Sequence, residues 1–336
     1  MNIELQISGL IICILLHFFY KSKKTMGLYS ERLFFRILTQ AIVLLIFDIL
    51  FVVTIEFQHL LPNILVELVT KTYLITLLII CAMAFVYILF DGIEIKTHRK
   101  VIRAVIALTL VVSALIYILP IQIYHQEHIV YCAGPAVNID YAFASLFIIS
   151  SIFTMLYFRN HILPRRLFAF SVWMVIWVVA EIIQFFDRQL LLSGFAAALG
   201  VLILFVLLEN PESHLNKELG CFNTHALMIY LREHFDAGRP FTALGILKEN
   251  IRKDELKQIR AFITTWHKEK DVFIFKDLDS EFVIITHDMG LYAKLRETIR
   301  KQQGQTTGIF KDAILISTAN GLAVRSEKDI AGIIHH

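Results

Sequence analysis

Hydrophobic positions along the chain fall into two regimes. Up to residue 208 they form long runs, at 5–20, 33–57, 64–90, 101–119, 141–158, 167–186 and 190–208. Each approaches the roughly 20 residues that an α-helix needs to cross about 30 Å of hydrocarbon, so the pattern predicts seven membrane-spanning helices. The first run is the shortest. It makes a poor cleavable signal, because Lys21, Lys23 and Lys24 follow it and no A-x-A-like site is present.

Beyond residue 208 the runs shorten and become periodic. Leu227, Leu231 and Phe235 repeat at helical spacing behind Asn223, a suitable N-cap, and Gly238-Arg239-Pro240 ends that helix. A strand-length run covers 241–247, and 252–270 reads as a helix with Leu256, Ile259, Ile263 and Trp266 on one face. Strands are predicted at 272–275 and 282–285 around an acidic turn, then a helix marked by Leu291, Leu295 and Ile299, a strand at 313–317 and a last helix from 326. The two strands around the turn are apolar on both faces, which predicts central positions in a sheet.

After its leading helix this region reads β-α-β-β-α-β, the split βαβ order of ferredoxin-like domains. The predicted fold class is a multi-pass α-helical membrane bundle followed by an α/β ferredoxin-like domain. Residues 1–208 form the transmembrane region, 209–215 a short linker in which Pro211 breaks the helix, and 216–336 the soluble domain.

Charge orients this arrangement. Loops after spans one, three and five carry Lys21, Lys23, Lys24 and Arg32; Lys96, Arg99, Lys100 and Arg103; and Arg159, Arg165 and Arg166. Those after spans two, four and six carry almost none, Arg188 being the exception, with Lys71 just inside span three. Lys and Arg near membrane ends stay on the cytoplasmic side, so the N-terminus is expected outside and the soluble domain in the cytoplasm, under the inner (plasma) membrane. The formal net charge of +3 reflects this bias. Without a basic patch interleaved with aromatics, the expected partner is the lipid bilayer and no nucleic acid polymer.

Candidate chemistry in the membrane rests on charges within the spans, each costing about 2.5–3.5 kcal/mol on insertion scales. Asp48 and Glu181 are the deepest, with Gln184 close by, and they are the candidate sensing residues for a polar ligand or a proton. His125, Glu127, His128 and Cys132 in the longest outer loop have only weak metal-ligand spacing and fit an exposed polar loop. The four cysteines show no CxxC pair, so neither a disulfide framework nor a zinc site is indicated, and no resident metal or cofactor is expected. Trp173 and Trp177, one turn apart, fit packing. A small-molecule transporter is an alternative, but Gly194 and Gly200 are the only helix breakers deep in a span and no internal repeat is visible.

The segment NKELGCFNTH, residues 216–225, resembles the D-x-L-T-G-L-x-N-R-R opening of GGDEF domains, which condense two GTP molecules into cyclic di-GMP. Gly220 and Asn223 match; Asn216, Thr224 and His225 replace the acid and the two arginines. Further landmarks follow in family order. Where the family's first strand ends in a Mg²⁺-binding Asp, this chain has Leu247, with Glu249 keeping an acid at the second position. The guanine-reading motifs have no counterpart in 252–260, and the upstream R-x-x-D of product inhibition falls on Glu269 and Val272. The signature G-G-[DE]-E-F aligns with Leu278, Asp279, Ser280, Glu281 and Phe282, so a Cβ stands where two glycines admit phosphate.

The resemblance implies a degenerate domain with no catalytic residues, its signature turn and strand end being vestiges. A weak Ca²⁺ site of Asp277, Asp279, Ser280 and Glu281 is less favoured than a plain hairpin turn. It also implies a signalling role as homodimer or as partner of a GGDEF or EAL domain, since an EAL domain often follows such a domain. The enzyme alternative is a divergent diguanylate cyclase using Mg²⁺ and GTP, which needs another group to replace the lost metal ligand.

Overall fold

The computed structural model describes residues 3–90, 95–126, 129–186, 191–248, 253–276, 281–303, 309–310 and 313–317. They belong to two compact units, one comprising Met1–Lys23 and Tyr29–Asn210, the other Lys24–Leu28 and Pro211–His336.

The first unit holds helices α1 (Glu4–Ser22), α2 (Tyr29–Glu56), α3 (Asn63–Phe90), α4 (Ile95–Ile118), α5 (Pro135–Tyr157), α6 (Pro164–Phe186) and α7 (Ser193–Leu204). A π-turn, Phe205–Glu209, extends α7. Seven helical segments are long and apolar enough to cross a membrane. α3 is enclosed by α2, α4 and α5, while α7 packs against α1, α2 and α6. The outward surface is apolar: Phe18, Leu110, Phe153, Phe168, Val175 and Phe186 are exposed. In water each Å² of that surface costs about 25 cal/mol, and in hydrocarbon it costs nothing, so length and surface together describe a multi-pass membrane protein.

Between α4 and α5 lies a hairpin of β1 (Gln122–Gln126) and β2 (Ile129–Ala133), paired antiparallel. The expected outer loop at 124–132 therefore pairs its two arms through backbone hydrogen bonds. Gly134, at φ +124°, turns the chain into α5, where Pro135 occupies the first turn.

In the second unit, α8 (Thr224–Asp236) opens on Asn223, whose side chain accepts a hydrogen bond from the Ala226 amide. Then come β3 (Thr242–Leu247), α9 (Lys253–His267), β4 (Val272–Lys276), β5 (Glu281–Thr286), α10 (Met289–Gln303) and β6 (Ile314–Ser317). The sheet order is β4-β5-β3-β6 and every neighbouring pair is antiparallel. Alternation along the strands splits the interior in two. Leu244, Ile246, Ile274 and Ile284 face α9 and α10 through Ile259, Ile263, Leu295 and Ile299. Ala243, Phe273, Phe275, Val283 and Ile285 face α8 through Leu227, Tyr230 and Leu231. The last helix expected from 326 lies outside the described residues.

One sequence expectation needs correction. β4 is not central but forms an edge of the sheet. It is apolar on both faces because helices cover both, and its outer edge is closed by Phe222, whose amide donates to the Ile274 carbonyl at 2.9 Å and whose carbonyl accepts from the Lys276 amide at 2.8 Å. Within residues 209–215, Glu209 ends the π-turn of the first unit and Pro211–His214 is a 3-10 turn of the second.

Candidate functional site

At the end of the bundle where α7 begins, polar groups from six helices, α7 among them, converge. Gln6 of α1 donates to the Leu191 carbonyl at 2.9 Å, fixing the chain just before α7. Glu181 of α6 accepts the Ser193 hydroxyl at 2.7 Å, and Gln184 Oε1 takes the amide of Leu192 at 2.8 Å and the same hydroxyl at 3.1 Å. The first turn of α7 is thus held by two side chains of α6. Such groups replace the water that would otherwise satisfy a helix N-terminus.

Asp48 of α2 reaches the same turn. A Cβ at Gly194 would overlap its Oδ2, so the absence of a side chain there is what admits the carboxyl. Both carboxyl oxygens of Asp48, and both of Asp140 on α5, are fully buried and have no hydrogen-bond partner among the described residues. Tyr73 of α3 lies within electrostatic reach of Asp48, Asp140 and Glu181. Among the described residues none of the three acids forms an ion pair. Carboxyl groups are costly in hydrocarbon and mark ligand or proton sites when they face a bundle interior. Beside them a cleft of about 350 Å³ opens between α3, α5 and α6, its lining including Cys81, Tyr141, Ser145, Val178 and Glu181.

The structure therefore brings together Asp48, Glu181 and Gln184, all three membrane residues singled out from sequence. It adds Asp140, which hydropathy missed because the apolar run starts one residue later, at Tyr141. The Gly134-Pro135 helix start was the available signal, since a helix from Pro135 places Asp140 inside the span. Trp173 and Trp177 stack with ring centres 5.6 Å apart, as packing residues do.

A second buried group lies at the far end of α7. Tyr87 of α3 donates to Glu209 Oε1 at 2.5 Å, and Arg166 Nη2 of α6 is 3.8 Å from that oxygen and 3.5 Å from the Tyr87 hydroxyl. The π-turn Phe205–Glu209 brings the carboxylate there. π-turns recur at functional positions because the extra residue re-aims a side chain. α7 therefore runs from one buried polar group to another.

In the second unit the strand register sets Leu247 of β3 directly opposite Glu281 of β5. Phe282 packs inward with Ile246, Ile274 and Ile284. Next to Leu247, Lys248 is buried, ion-paired to Glu255 at 2.9 Å and donating to the Ile309 carbonyl. The strand end thus carries an apolar side chain and a cation where a metal site would need oxygens. Glu249, Asp277, Leu278, Asp279 and Ser280 lie outside the described residues, as do the side chains of His125, Glu127 and His128. Among the described residues no group of three His, Cys, Asp or Glu could hold a metal ion. No protein-family model matches the chain, and no curated protein matches it.

One side chain of this unit predicts a pH response. His267, the last residue of α9, lies against Phe222 at 5.5 Å and its Nε2 is buried without a partner. Burial, then the Lys24 charge, lower its pKa from 6.5 to about 4. Between those values the unfolded chain takes up a proton that the folded unit refuses, so stability falls as pH drops from 6.5 towards 4 and is flat above 6.5. The expected loss is roughly 1–3 kcal/mol after allowing for partial exposure. Urea midpoints of the second unit at pH 7.5 and 4.5 measure it, and His267→Gln should shrink the difference.

Proposed function

We propose that this chain is a membrane signalling protein in which the seven-helix bundle senses a polar ligand or a proton at the Asp48, Asp140 and Glu181 group. The second unit is its output, a catalytically inactive relative of the GGDEF domain acting in cyclic di-GMP signalling. The Lys and Arg of alternate connections support a cytoplasmic position for that unit. Support for the domain assignment comes from topology. An antiparallel sheet in the order β4-β5-β3-β6, with α9 and α10 on one face, follows the split βαβ plan of ferredoxin-like folds.

The observation that carries the inactive reading is the pairing of Leu247 with Glu281. A metal-bridged triphosphate at this strand end needs carboxylates from both strands, because Mg²⁺ takes oxygen ligands in near-octahedral geometry and a leucine offers none. Beside it Lys248, buried and ion-paired to Glu255, likewise offers no oxygen to a divalent cation. An active cyclase would have to overcome both.

Turnover tests the reading. Purified full-length protein with GTP and Mg²⁺ is expected to make no more cyclic di-GMP than its Glu281→Ala variant. Product above that control would overturn the inactive assignment. Binding of GTP without turnover would leave it standing and make the nucleotide an effector.

A further inference from the structure

The connection between α1 and α2 runs from Lys23 to Leu28, and its last five residues, Lys24–Leu28, belong to the second unit. Connections of this kind ordinarily carry solvated Lys and Arg. This one is built into a core. Met26 and Leu28 are each 2% exposed and pack among Phe222, Tyr230, Phe273 and Phe275. Gly27 between them has φ +69°, a left-handed conformation that turns the chain and that a side chain would strain.

Lys24 is held most tightly. Its ammonium donates to the carbonyls of His267 at 2.8 Å, Glu269 at 3.0 Å and Val272 at 2.7 Å, so all three hydrogens are used. It also lies 5.4 Å from the Phe273 ring centre. The three carbonyls belong to the end of α9, the following turn and the first residue of β4. A cation at a helix C-terminus meets the negative end of the helix dipole and caps open carbonyls. The Val272 carbonyl opens on the outer side of the edge strand β4, where the Ile274 carbonyl and the Lys276 amide bond Phe222. The segment completes both an edge and a core.

We propose that Lys24–Leu28 is a docking strap through which α1 and α2 act on the second unit, giving that unit a second input besides α7. The chain passes between the units at three places, after Lys23, after Leu28 and after Asn210. A five-residue strap spans at most about 17 Å fully extended, and both ends run almost directly into helices, so little slack absorbs a displacement of α1 against α2. Such a displacement is delivered to the junction of α9 and β4, the strand that leads into the acidic turn. Docking itself does not depend on the sensing reading; the direction of the signal does.

Amide hydrogen exchange on the full-length protein in detergent tests both parts. Lys24→Met should speed exchange over residues 267–276 by about tenfold or more while the seven helices keep their protection, because three charge-assisted bonds are lost. Unchanged exchange would overturn the docking claim. Should that variant not accumulate, Met26→Ala is read the same way. For coupling, Asp48→Asn should alter exchange over 267–276. Flexible Gly/Ser spacers of about six residues on both sides of the strap should abolish that response while docking persists. No response to Asp48→Asn, or a response that survives the spacers, would overturn the coupling claim. The Lys24→Met result bears on neither cyclase turnover nor sensing at Asp48, so the docking claim and the proposed function fail separately.

Discussion

Gly200→Val is expected to prevent the seven-helix unit from folding. Gly200 lies in α7, and a Cβ there would overlap the indole of Trp173 at Nε1 and Cδ1. That indole is fully buried and stacked on Trp177, itself 1% exposed. A rigid ring enclosed in this way cannot move aside as the end of a flexible chain would. Overpacking a well-filled core usually costs about 1–3 kcal/mol, and a branched side chain against a trapped indole belongs at or above the top of that range. Thermal unfolding and size-exclusion behaviour in detergent would measure the loss. The Gly200→Ala and Trp173→Phe changes should be strongly non-additive, the double variant being more stable than the sum of the single costs implies, because the smaller ring vacates the space that Ala needs. Additive costs would mean that helix packing here is looser than the geometry indicates.

Phe275→Ala should do the corresponding damage in the second unit alone. Phe275 is fully buried on the α8 face of edge strand β4, with its ring 5.4 Å from Phe222 and 5.5 Å from Tyr230. Truncating a buried Phe costs about 3–5 kcal/mol, against a total of about 5–15 kcal/mol for a typical domain. The second unit should lose its cooperative transition or its resistance to protease. The bundle should be unaffected, since Phe275 takes no part in its core. The three tryptophans divide usefully: Trp266 reports on the second unit, Trp173 and Trp177 on the first. A red shift from Trp266 with a retained detergent-stable bundle is the expected result. Simultaneous collapse of both would show that the two units fold as one.

How far the sequence revealed the membrane site depended on where each acid fell relative to an apolar run. Asp48 and Glu181 interrupt runs and therefore stand out, as does Gln184 beside them. Asp140 sits just before a run and reads as a loop residue until the helix start at Pro135 is seen. Gln6 and Tyr73 give no signal at all, because an amide or a phenol in an apolar helix becomes meaningful only through its neighbours. In the second unit the apolar character of residues 272–275 was read as a central strand. Burial on both faces does produce that pattern, but so does an edge strand sandwiched between helices and closed by Phe222 and Lys24.

The sequence by itself determined the seven long apolar helices, the succession of strands and helices from 242 to 317, the Asn223 cap and the absence of an oxygen ligand at Leu247. These are local properties: span length, periodicity and side-chain chemistry are written in consecutive residues. Only the tertiary structure decided that acids from three helices gather about Tyr73, that Leu247 faces Glu281, and that Lys24 closes the edge of a strand beginning 248 residues later. Those arrangements arise from packing between distant segments, where a partner's identity is set by which surfaces meet and by which buried polar groups must be satisfied.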